Sequence, residues 1–297
     1  MLTPKGPEML GKGWLSVAFA AILIEACASS TAATPSPTPT GAQRETLTVG
    51  AQARNYYVLR PPNQRGRLPL VVALHGSTQP PRGLELKTKL DDEAAAAGFV
   101  VAYPEGISRS WNSSDSGGDA QLLNVDDVGF IRQLIDHMVR TAQIDPKRVF
   151  VTGISSGGEM SHRLACELSD RVAAVASVSG DLGIAACNPA QPVSVLEIHG
   201  TADPYVPIEG DPSQNLPPTM STMRRWAQID GCASGPTVEE SGITKTTTWG
   251  GCRNGTTVAL VAITGAGHTF WLEPPIPGQP NINEVIWNFF NHAPPRA

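Results

Sequence analysis

The sequence predicts an α/β fold, with a mostly parallel central sheet and helices on both of its faces. Two observations support this prediction. Short runs such as residues 70–74 and 99–103 are continuously apolar, as expected of strands that are buried on both faces. Segments with helical spacing of apolar residues, such as residues 125–142, alternate with these runs. Alternating strands and helices favour a parallel sheet, whose functional site lies at the carboxyl ends of its strands.

In chain order, an antiparallel pair of strands is expected to lead the domain, and apolar strands separated by helices follow. The predicted strands are residues 46–49, 56–60, 70–74, 99–103, 148–152, 173–178, 193–198 and 258–263. The predicted helices are residues 84–97, 125–142, 156–168, 219–229 and 282–290. The last helix closes the domain and places Trp287 and Phe290 on its inner side.

Composition indicates one large domain and excludes a nucleic-acid partner. The chain has 297 residues, of which 41% are apolar and 16% charged, which suits a single core with an N-terminal appendage. The net charge is −5 and no run of lysines or arginines occurs. We expect this domain to span residues 45–294 and to be a monomer.

The N-terminal segment, residues 1–27, has the features of a signal peptide. Its apolar run, residues 14–24, is 11 residues long, which is too short to span a bilayer. The run leads to Cys27, which resembles the lipidated cysteine of a bacterial lipoprotein, although Glu25 departs from that pattern. Cleavage by an ordinary signal peptidase between residues 26 and 33 is the alternative. Either route predicts an extracellular or cell-envelope protein, with a membrane tether if Cys27 is lipidated.

Residues 28–44 are rich in proline, serine and threonine, which predicts an extended, disordered linker. Four cysteines follow the linker, and an even number in an exported chain implies disulfide bonds. Pairing of sequence neighbours joins Cys166 to Cys187 and Cys232 to Cys252. Zinc is the alternative, but no Cys-x-x-Cys pair or histidine at ligand spacing accompanies these cysteines. We therefore expect no metal and no other cofactor.

The pentapeptide Gly-Ile-Ser-Ser-Gly at residues 153–157 carries the strongest functional signal. It lies between a β-branched run and a predicted helix, which is the context of the nucleophile elbow in α/β-hydrolases. This pattern predicts Ser155 as a nucleophile and the backbone N–H of Ser156 as an oxyanion donor. The alternative is a turn that caps a helix, because either serine could serve as an N-cap.

A serine nucleophile needs a base and an orienting acid, which follow it in the order acid, then histidine. Of six histidines, His268 has this order and lies in a glycine-rich loop after a late strand. Asp203 follows the strand at residues 193–198 and is the predicted acid, with Asp181 as the main competitor. The alternatives are a surface-loop histidine and an Asx-turn aspartate next to Pro204.

A second oxyanion donor is expected in the loop after the strand at residues 70–74. That loop reads His75-Gly76-Ser77-Thr78, and Gly76 allows close backbone approach. The N–H of Ser77 or of Thr78 is therefore the predicted donor. His75 precedes the nucleophile in the chain, and we interpret it as a brace for this loop.

Several motifs together resemble the polyhydroxybutyrate depolymerase/feruloyl esterase-like family, among the carbohydrate esterases of family one. The motifs are LHG at 74–76, YPEG at 103–106, WN at 111–112, VDDVGFI at 125–131, GISSG at 153–157, HGTAD at 199–203 and GHT at 267–269. The resemblance covers residues 68–290 and implies an exported serine ester hydrolase with Ser155, Asp203 and His268 as its triad. Ser77 stands where the family often has a cysteine, which excludes a disulfide there.

Four residues are candidates for substrate contact. Trp111 and Asn112 lie in a glycine- and serine-rich loop, where the indole could stack on a substrate or fill the space under the loop. Phe270 and Trp271 follow His-Thr, where the family often has tryptophan and proline. The predicted substrate is a small or oligomeric feruloyl, acetyl or hydroxyalkanoate ester. The alternatives are an acyltransferase with the same triad and a non-catalytic wall-binding module.

Overall fold

The structure is a computed structural model that describes residues 41–62, 66–114, 118–214 and 216–296. The predicted signal peptide, Cys27 and residues 28–40 of the linker lie outside the described residues. The predicted domain boundaries therefore stay predictions.

The described residues form strands and helices in alternation. The strands are β1 Gln43–Val49, β2 Gln52–Leu59, β3 Leu68–Leu74, β4 Val100–Pro104, β5 Ile144–Ile154, β6 Ala174–Val178, β7 Ser194–Gly200, β8 Ser234–Ser241, β9 Thr244–Gly250 and β10 Val258–Ile263. The helices are α1 Pro81–Thr88, α2 Leu90–Ala97, α3 Asp119–Leu122, α4 Asp127–Thr141, α5 Ser156–Glu167, α6 Thr219–Ile229 and α7 Ile282–His292.

All ten of these strands join one sheet in the order β1-β2-β4-β3-β5-β6-β7-β10-β9-β8. The six central strands, from β4 to β10, pair in parallel, and the outer strands pair antiparallel. This arrangement confirms the predicted α/β class and the antiparallel leading pair. The parallel centre directs the carboxyl ends of β3, β5, β7 and β10 to the same edge of the sheet, where the predicted site residues follow them.

Two apolar layers cover the sheet, one on each face. Along β3, Leu70, Val72 and Leu74 belong to one layer, whereas Val71 and Ala73 belong to the other, as the two-residue period of a strand requires. Helices α4, α5 and α6 pack in the first layer, and α1, α2 and α7 pack in the second. Burial on both faces explains why the central strands are apolar without alternation.

Two predictions of secondary structure differ from the structure. The helix predicted over residues 84–97 is two helices, because Lys89 has φ 54°, a left-handed conformation that ends α1 and begins α2. The hairpin of β8 and β9 was not predicted. Every residue of β8 is exposed, so this polar edge strand lacks the apolar signal of a buried strand.

Both disulfide bonds follow the predicted pairing of sequence neighbours. Cys166 near the end of α5 is bonded to Cys187, and Cys232 after α6 is bonded to Cys252. Structural disulfides of this kind are typical of proteins in oxidising, extracellular environments. Within the part of the chain that the structure describes, none of the helices has the length and apolarity needed to cross a membrane.

Candidate active site

Ser155 occupies a sharp turn between β5 and α5. Its backbone has φ 57° and ψ −123°, a conformation that residues with a side chain rarely adopt. The Ser155 N–H donates to the carbonyl of Val178 at 2.9 Å, which fixes the turn against β6. The turn therefore has the strand, sharp bend and helix of a nucleophile elbow.

The glycines on either side of Ser155 are required by close backbone approach. A Cβ atom on Gly157 would lie 2.3 Å from the carbonyl oxygen of Leu74, and one on Gly153 would lie 2.4 Å from the carbonyl oxygen of Gly157. Contacts this short cannot be accommodated without moving backbone. The glycine spacing that marks the motif in the sequence thus reflects packing of the bend against β3.

Asp203 and His268 form a hydrogen-bonded pair at the same edge of the sheet. Asp203 Oδ2 lies 2.7 Å from His268 Nδ1, and Asp203 Oδ1 accepts the backbone N–H groups of Tyr205 and Val206 at 2.9 Å each. Burial alone would raise the pKa of Asp203, but the hydrogen bonds from His268 and the two N–H groups outweigh burial and lower it. Asp203 is therefore held as a carboxylate that orients the imidazole.

Ser155 and His268 line one cleft of about 430 Å³. The other lining residues are Gly76, Ser77, Thr78, Gln79, Ile154, Tyr205 and Thr269. The structure thus brings together the predicted nucleophile, the predicted base and the loop predicted to supply an oxyanion donor. The cleft has a reacting hydroxyl, an oriented imidazole and backbone donors, which are the groups required for acyl transfer.

The backbone donors of the cleft narrow the prediction for the oxyanion site. Ser156 is the first residue of α5, so its N–H has no partner within the helix. The N–H of Thr78 already donates to the carbonyl of Arg109 at 2.9 Å, which removes Thr78 from the candidates. Among the described residues, none accepts the N–H of Ser77. Ser77 and Ser156 are therefore the pair available to a ligand oxygen.

His75 braces the loop that carries Ser77. Its Nδ1 lies 2.8 Å from the carbonyl of Gly76, and its Nε2 lies 3.0 Å from the N–H of Gly106. Burial lowers the pKa of His75 to about 4, so the ring is neutral. A neutral ring donates through Nδ1 and accepts through Nε2, which satisfies both contacts. This arrangement agrees with the structural role expected of His75.

Asp181 does not contact His268. Its Oδ1 accepts the hydroxyl of Thr222 and the N–H of Leu182, and the side chain is buried. The structure therefore favours Asp203 over Asp181 as the partner of the histidine, as the order of strands predicts.

Trp111 and Asn112 lie beneath their loop, which corrects the expectation that they contact substrate. Trp111 is 1% exposed, packs on the ring of His75 and donates its indole N–H to the His75 carbonyl at 2.8 Å. Asn112 is also buried, and its amide donates to the carbonyl of Val125 and accepts from Arg163. Both residues fill and tie the space under the loop.

Phe270 and Trp271 are likewise buried and do not line the Ser155 cleft. They line a separate cavity of about 650 Å³ beside α1 and α7, and the Trp271 indole donates to Asn283 at 2.8 Å. Neither of these two candidates for substrate contact is therefore among the residues that line the Ser155 cleft.

Tyr205 contributes an aromatic ring to the lining of the cleft, and sequence reasoning missed it. Its side chain is 69% exposed, and its ring meets that of His268 edge to face at 5.3 Å between centroids. Its place in the sequence could have indicated this role, because Tyr205 comes two residues after Asp203, on a loop at the carboxyl end of β7. Exposure cannot be read from a single aromatic residue in a loop.

Comparison with known proteins identifies the family. Residues 54–236 match the family model described as esterase PHB depolymerase. A bifunctional acetylxylan esterase/xylanase from Neocallimastix patriciarum is 30% identical over 239 residues, which cover 80% of this chain and 33% of that protein. Feruloyl esterase B from Piromyces equi is 33% identical over 187 residues, covering 58% of this chain and 34% of that protein. The chain thus spans about a third of the length of these curated relatives.

Solved structures support the fold. The acetyl xylan esterase from Aspergillus awamori matches with a TM-score of 0.61 at 20% identity, covering 84% of this chain and all of that one. A likeness at this identity establishes the α/β-hydrolase fold and no more. Because the family model covers more than half of the chain, and includes the elbow and the Asp203 loop, the chain belongs to the esterase PHB depolymerase family.

Proposed function

We propose that this chain is a carboxylic-ester hydrolase that acts through an acyl-enzyme on Ser155. The observation that carries the proposal is the strained Ser155 turn in one cleft with a His268 ring that is already oriented by Asp203. Relatives of the same family are named esterases, which supports the reaction class.

The proposed chemistry follows from the contacts of the cleft. With Nδ1–H bonded to Asp203, the Nε2 of His268 is free to take the Ser155 proton as the hydroxyl attacks the ester carbonyl. The imidazolium then returns that proton to the leaving alcohol, and the acyl group stays on the Ser155 oxygen. Water activated by the same imidazole hydrolyses the acyl-enzyme. Asp203 stabilises the imidazolium in both steps.

The tetrahedral intermediates need donors for a developing oxyanion. We assign this role to the N–H groups of Ser77, which lines the cleft, and of Ser156, which directly follows Ser155 at the start of α5. Removing one such donor in a serine hydrolase costs on the order of 10²–10³ in kcat.

The proposed substrates are feruloyl, acetyl or hydroxyalkanoate esters. Relatives named acetylxylan esterase and feruloyl esterase support the first two, and the family description supports the third. A panel of p-nitrophenyl acetate, methyl ferulate and hydroxybutyrate oligomers tests the choice. Including an excess of sugar acceptor separates hydrolysis from acyl transfer, because a transferase yields a new ester in place of free acid.

A fluorophosphonate probe tests the nucleophile directly. We expect it to label the protein at Ser155 and to block hydrolysis of every substrate in the panel. A folded protein that is neither labelled nor active would overturn the proposal and favour a non-catalytic binding module.

We further propose that the protein is exported through the segment at residues 1–27. The two disulfide bonds support an oxidising location. Detergent partitioning of the expressed protein and of its Cys27→Ser variant tests the membrane tether. If Cys27 is lipidated, the wild-type protein should partition into the detergent phase and the Cys27→Ser variant into the aqueous phase. Equal recovery of both in the aqueous phase would contradict the tether.

A further inference from the structure

A chain of fully buried polar groups extends behind Asp203, away from the cleft. Glu197 and His199 lie two residues apart on β7, so their side chains share one face of the strand. Glu197 Oε1 is 2.8 Å from His199 Nδ1, and Glu197 Oε2 is 3.3 Å from His162 Nε2 on α5. The Trp226 indole on α6 lies 3.0 Å from His162 Nδ1. His199 Nε2 in turn lies 3.6 Å from Asp203 Oδ2.

The partners fix where the protons of His162 lie. An indole N–H can only donate, so His162 Nδ1 accepts from Trp226 and carries no proton. The His162 ring then carries its proton on Nε2 and donates it to Glu197. His162 is therefore a neutral ring that contributes one hydrogen bond to the Glu197 carboxylate.

The partners of His199 require a different state. Its Nε2 faces the carbonyl of Val206 at 2.7 Å as well as Asp203 Oδ2, and both are acceptors, so Nε2 carries a proton. Its Nδ1 faces Glu197. Burial alone would lower the pKa of His199, but the hydrogen bond and charge of Glu197 outweigh burial, and the pKa is raised. Because an acceptor lies within 2.8 Å of each ring nitrogen, we assign His199 as an imidazolium beside the carboxylate that orients His268.

We propose that His199, kept cationic by Glu197, is a positioning residue that acts through Asp203. Its charge lies 3.6 Å from Asp203 Oδ2, where it reduces the negative field that Asp203 exerts on His268. Neither Glu197 nor His199 lines the Ser155 cleft. The inference rests on the proposed function, in which His268 is the general base.

The direction of the effect follows from the charges. A cation on the far side of Asp203 disfavours protonation of His268, so the base stays neutral to lower pH. If His199 becomes neutral, this opposition to protonation of the base is lost, and we expect the acid limb of the kcat/KM profile to move to higher pH. The Glu197 charge has the opposite sign but lies further from His268, with His199 between them. We expect an upward shift of about 0.5 pH unit or more.

Other titratable groups face the pair and must stay unchanged in the test. His162 contacts Glu197 from α5, and Asp181, in the loop after β6, interacts electrostatically with both. Glu159 on α5 interacts with His162 and Asp181. None of these side chains is altered by a substitution confined to Glu197.

Glu197→Gln is the matched test because the amide keeps the shape and both hydrogen-bond positions but removes the charge. We expect a folded enzyme whose kcat/KM for p-nitrophenyl acetate falls several-fold at pH 6 and recovers at pH 8. Asp230→Asn is the control, since Asp230 is another buried carboxyl, bonded to Val193 and Thr256 before β7 and β10 begin. The acid limb of the kcat/KM profile of Asp230→Asn should match that of the wild type. If the acid limb of the kcat/KM profile does not move in Glu197→Gln, the proposal is overturned.

A measurement on the wild type keeps the proposal testable if Glu197→Gln does not fold. Nitrogen-15 NMR of histidine-labelled enzyme distinguishes an imidazolium from a neutral ring. We expect His199 to be doubly protonated at pH 7, and a neutral ring at that pH would overturn the proposal. The same spectra give the pKa of His268 without turnover. They therefore separate this inference from the proposed function, which fails if fluorophosphonate does not label Ser155.

Discussion

His268 Nδ1 lies 2.7 Å from Asp203 Oδ2, and this contact determines which imidazole nitrogen faces the cleft. An ionised carboxylate can only accept, so Nδ1 is the protonated nitrogen and Nε2 is left as the base. The carboxylate is itself held by the N–H groups of Tyr205 and Val206. Geometry and charge at Asp203 together prepare one tautomer of His268.

Asp203→Asn should therefore impair catalysis without unfolding the protein. The amide can present an N–H to His268 and stabilise the wrong tautomer, so we expect kcat to fall by about 10³–10⁴-fold. The measurement is kcat for p-nitrophenyl acetate, with circular dichroism as the check on folding. Asp181→Asn is the matched control, because that carboxylate bonds Thr222 and Leu182 instead. Greater loss of activity in Asp181→Asn would refute the assignment of the acid.

The strained backbone at Ser155 should lower the stability of the fold, although the Ser155 hydroxyl is required for activity. Its φ of 57° and ψ of −123° are strained for any residue with a Cβ atom but accessible to glycine. Ser155→Gly and Ser155→Ala should both lose fluorophosphonate labelling and at least about 10⁴-fold in kcat. Of the two, Ser155→Gly should have the higher free energy of unfolding, by about 1 kcal/mol or more.

Urea unfolding of the two variants measures this difference. Both lack the hydroxyl, so the comparison isolates the backbone strain from the loss of side-chain contacts. Equal stability of the glycine and alanine variants would mean that the turn is not strained in solution.

Much of this site could be predicted from sequence, because its chemistry is tied to local patterns. The bend at Ser155 requires glycines where a Cβ would meet backbone, and strand order places Asp203 and His268 at one edge of the sheet. Substrate contacts could not be predicted in the same way. Trp111 and Tyr205 are both aromatic residues in loops, yet one is 1% and the other 69% exposed. That difference depends on what packs around each loop.

Prediction of the secondary structure is limited in the same way. Buried strands such as β10 have an apolar signal in the sequence, and the predicted bounds of 258–263 agree with the structure. The hairpin of β8 and β9 has no such signal, since it pairs on the sheet edge through its backbone and leaves β8 exposed. The break at Lys89 depends on one backbone conformation, which composition does not determine.

Tyr205 should contribute to substrate binding rather than to chemistry. Its exposed ring stands beside His268 at the cleft, where it can contact the planar ring of an aromatic acyl group. Tyr205→Ala should raise KM for methyl ferulate about five- to tenfold, which corresponds to roughly 1 kcal/mol of aromatic contact. The KM for p-nitrophenyl acetate, whose acyl group is small, should change less.

Tyr205→Phe is the control, because it keeps the ring and removes only the hydroxyl. It should retain most of the wild-type KM for methyl ferulate. If Tyr205→Ala changes kcat and leaves KM for methyl ferulate unchanged, the tyrosine acts on His268 and not on the substrate.

Asp230 should make stability depend on pH in the direction opposite to that of most aspartates. Its side chain is buried, and burial raises its pKa to about 6. Between about pH 4 and pH 6 the folded state holds a proton that the unfolded state has released. The stabilising contribution of Asp230 is therefore fully present below about pH 4 and is lost as pH rises through 6. This loss lowers the free energy of unfolding by about 2–3 kcal/mol.

Asp230→Asn should remove this dependence. The amide can still accept the Val193 N–H, and its own N–H can donate to Thr256, whose hydroxyl donates to the Arg253 carbonyl. We expect the variant to exceed the wild type in Tm by roughly 4–8 °C at pH 8 and to differ little at pH 4. Asp170→Asn is a control whose effect on stability at pH 8 should be opposite to that of Asp230→Asn. Its contacts with Arg132 and Arg171 outweigh the effect of burial and lower the pKa of Asp170, so that variant should lose stability at pH 8. A gain for Asp230→Asn that is equal at both pH values would mean that packing, not ionisation, is responsible.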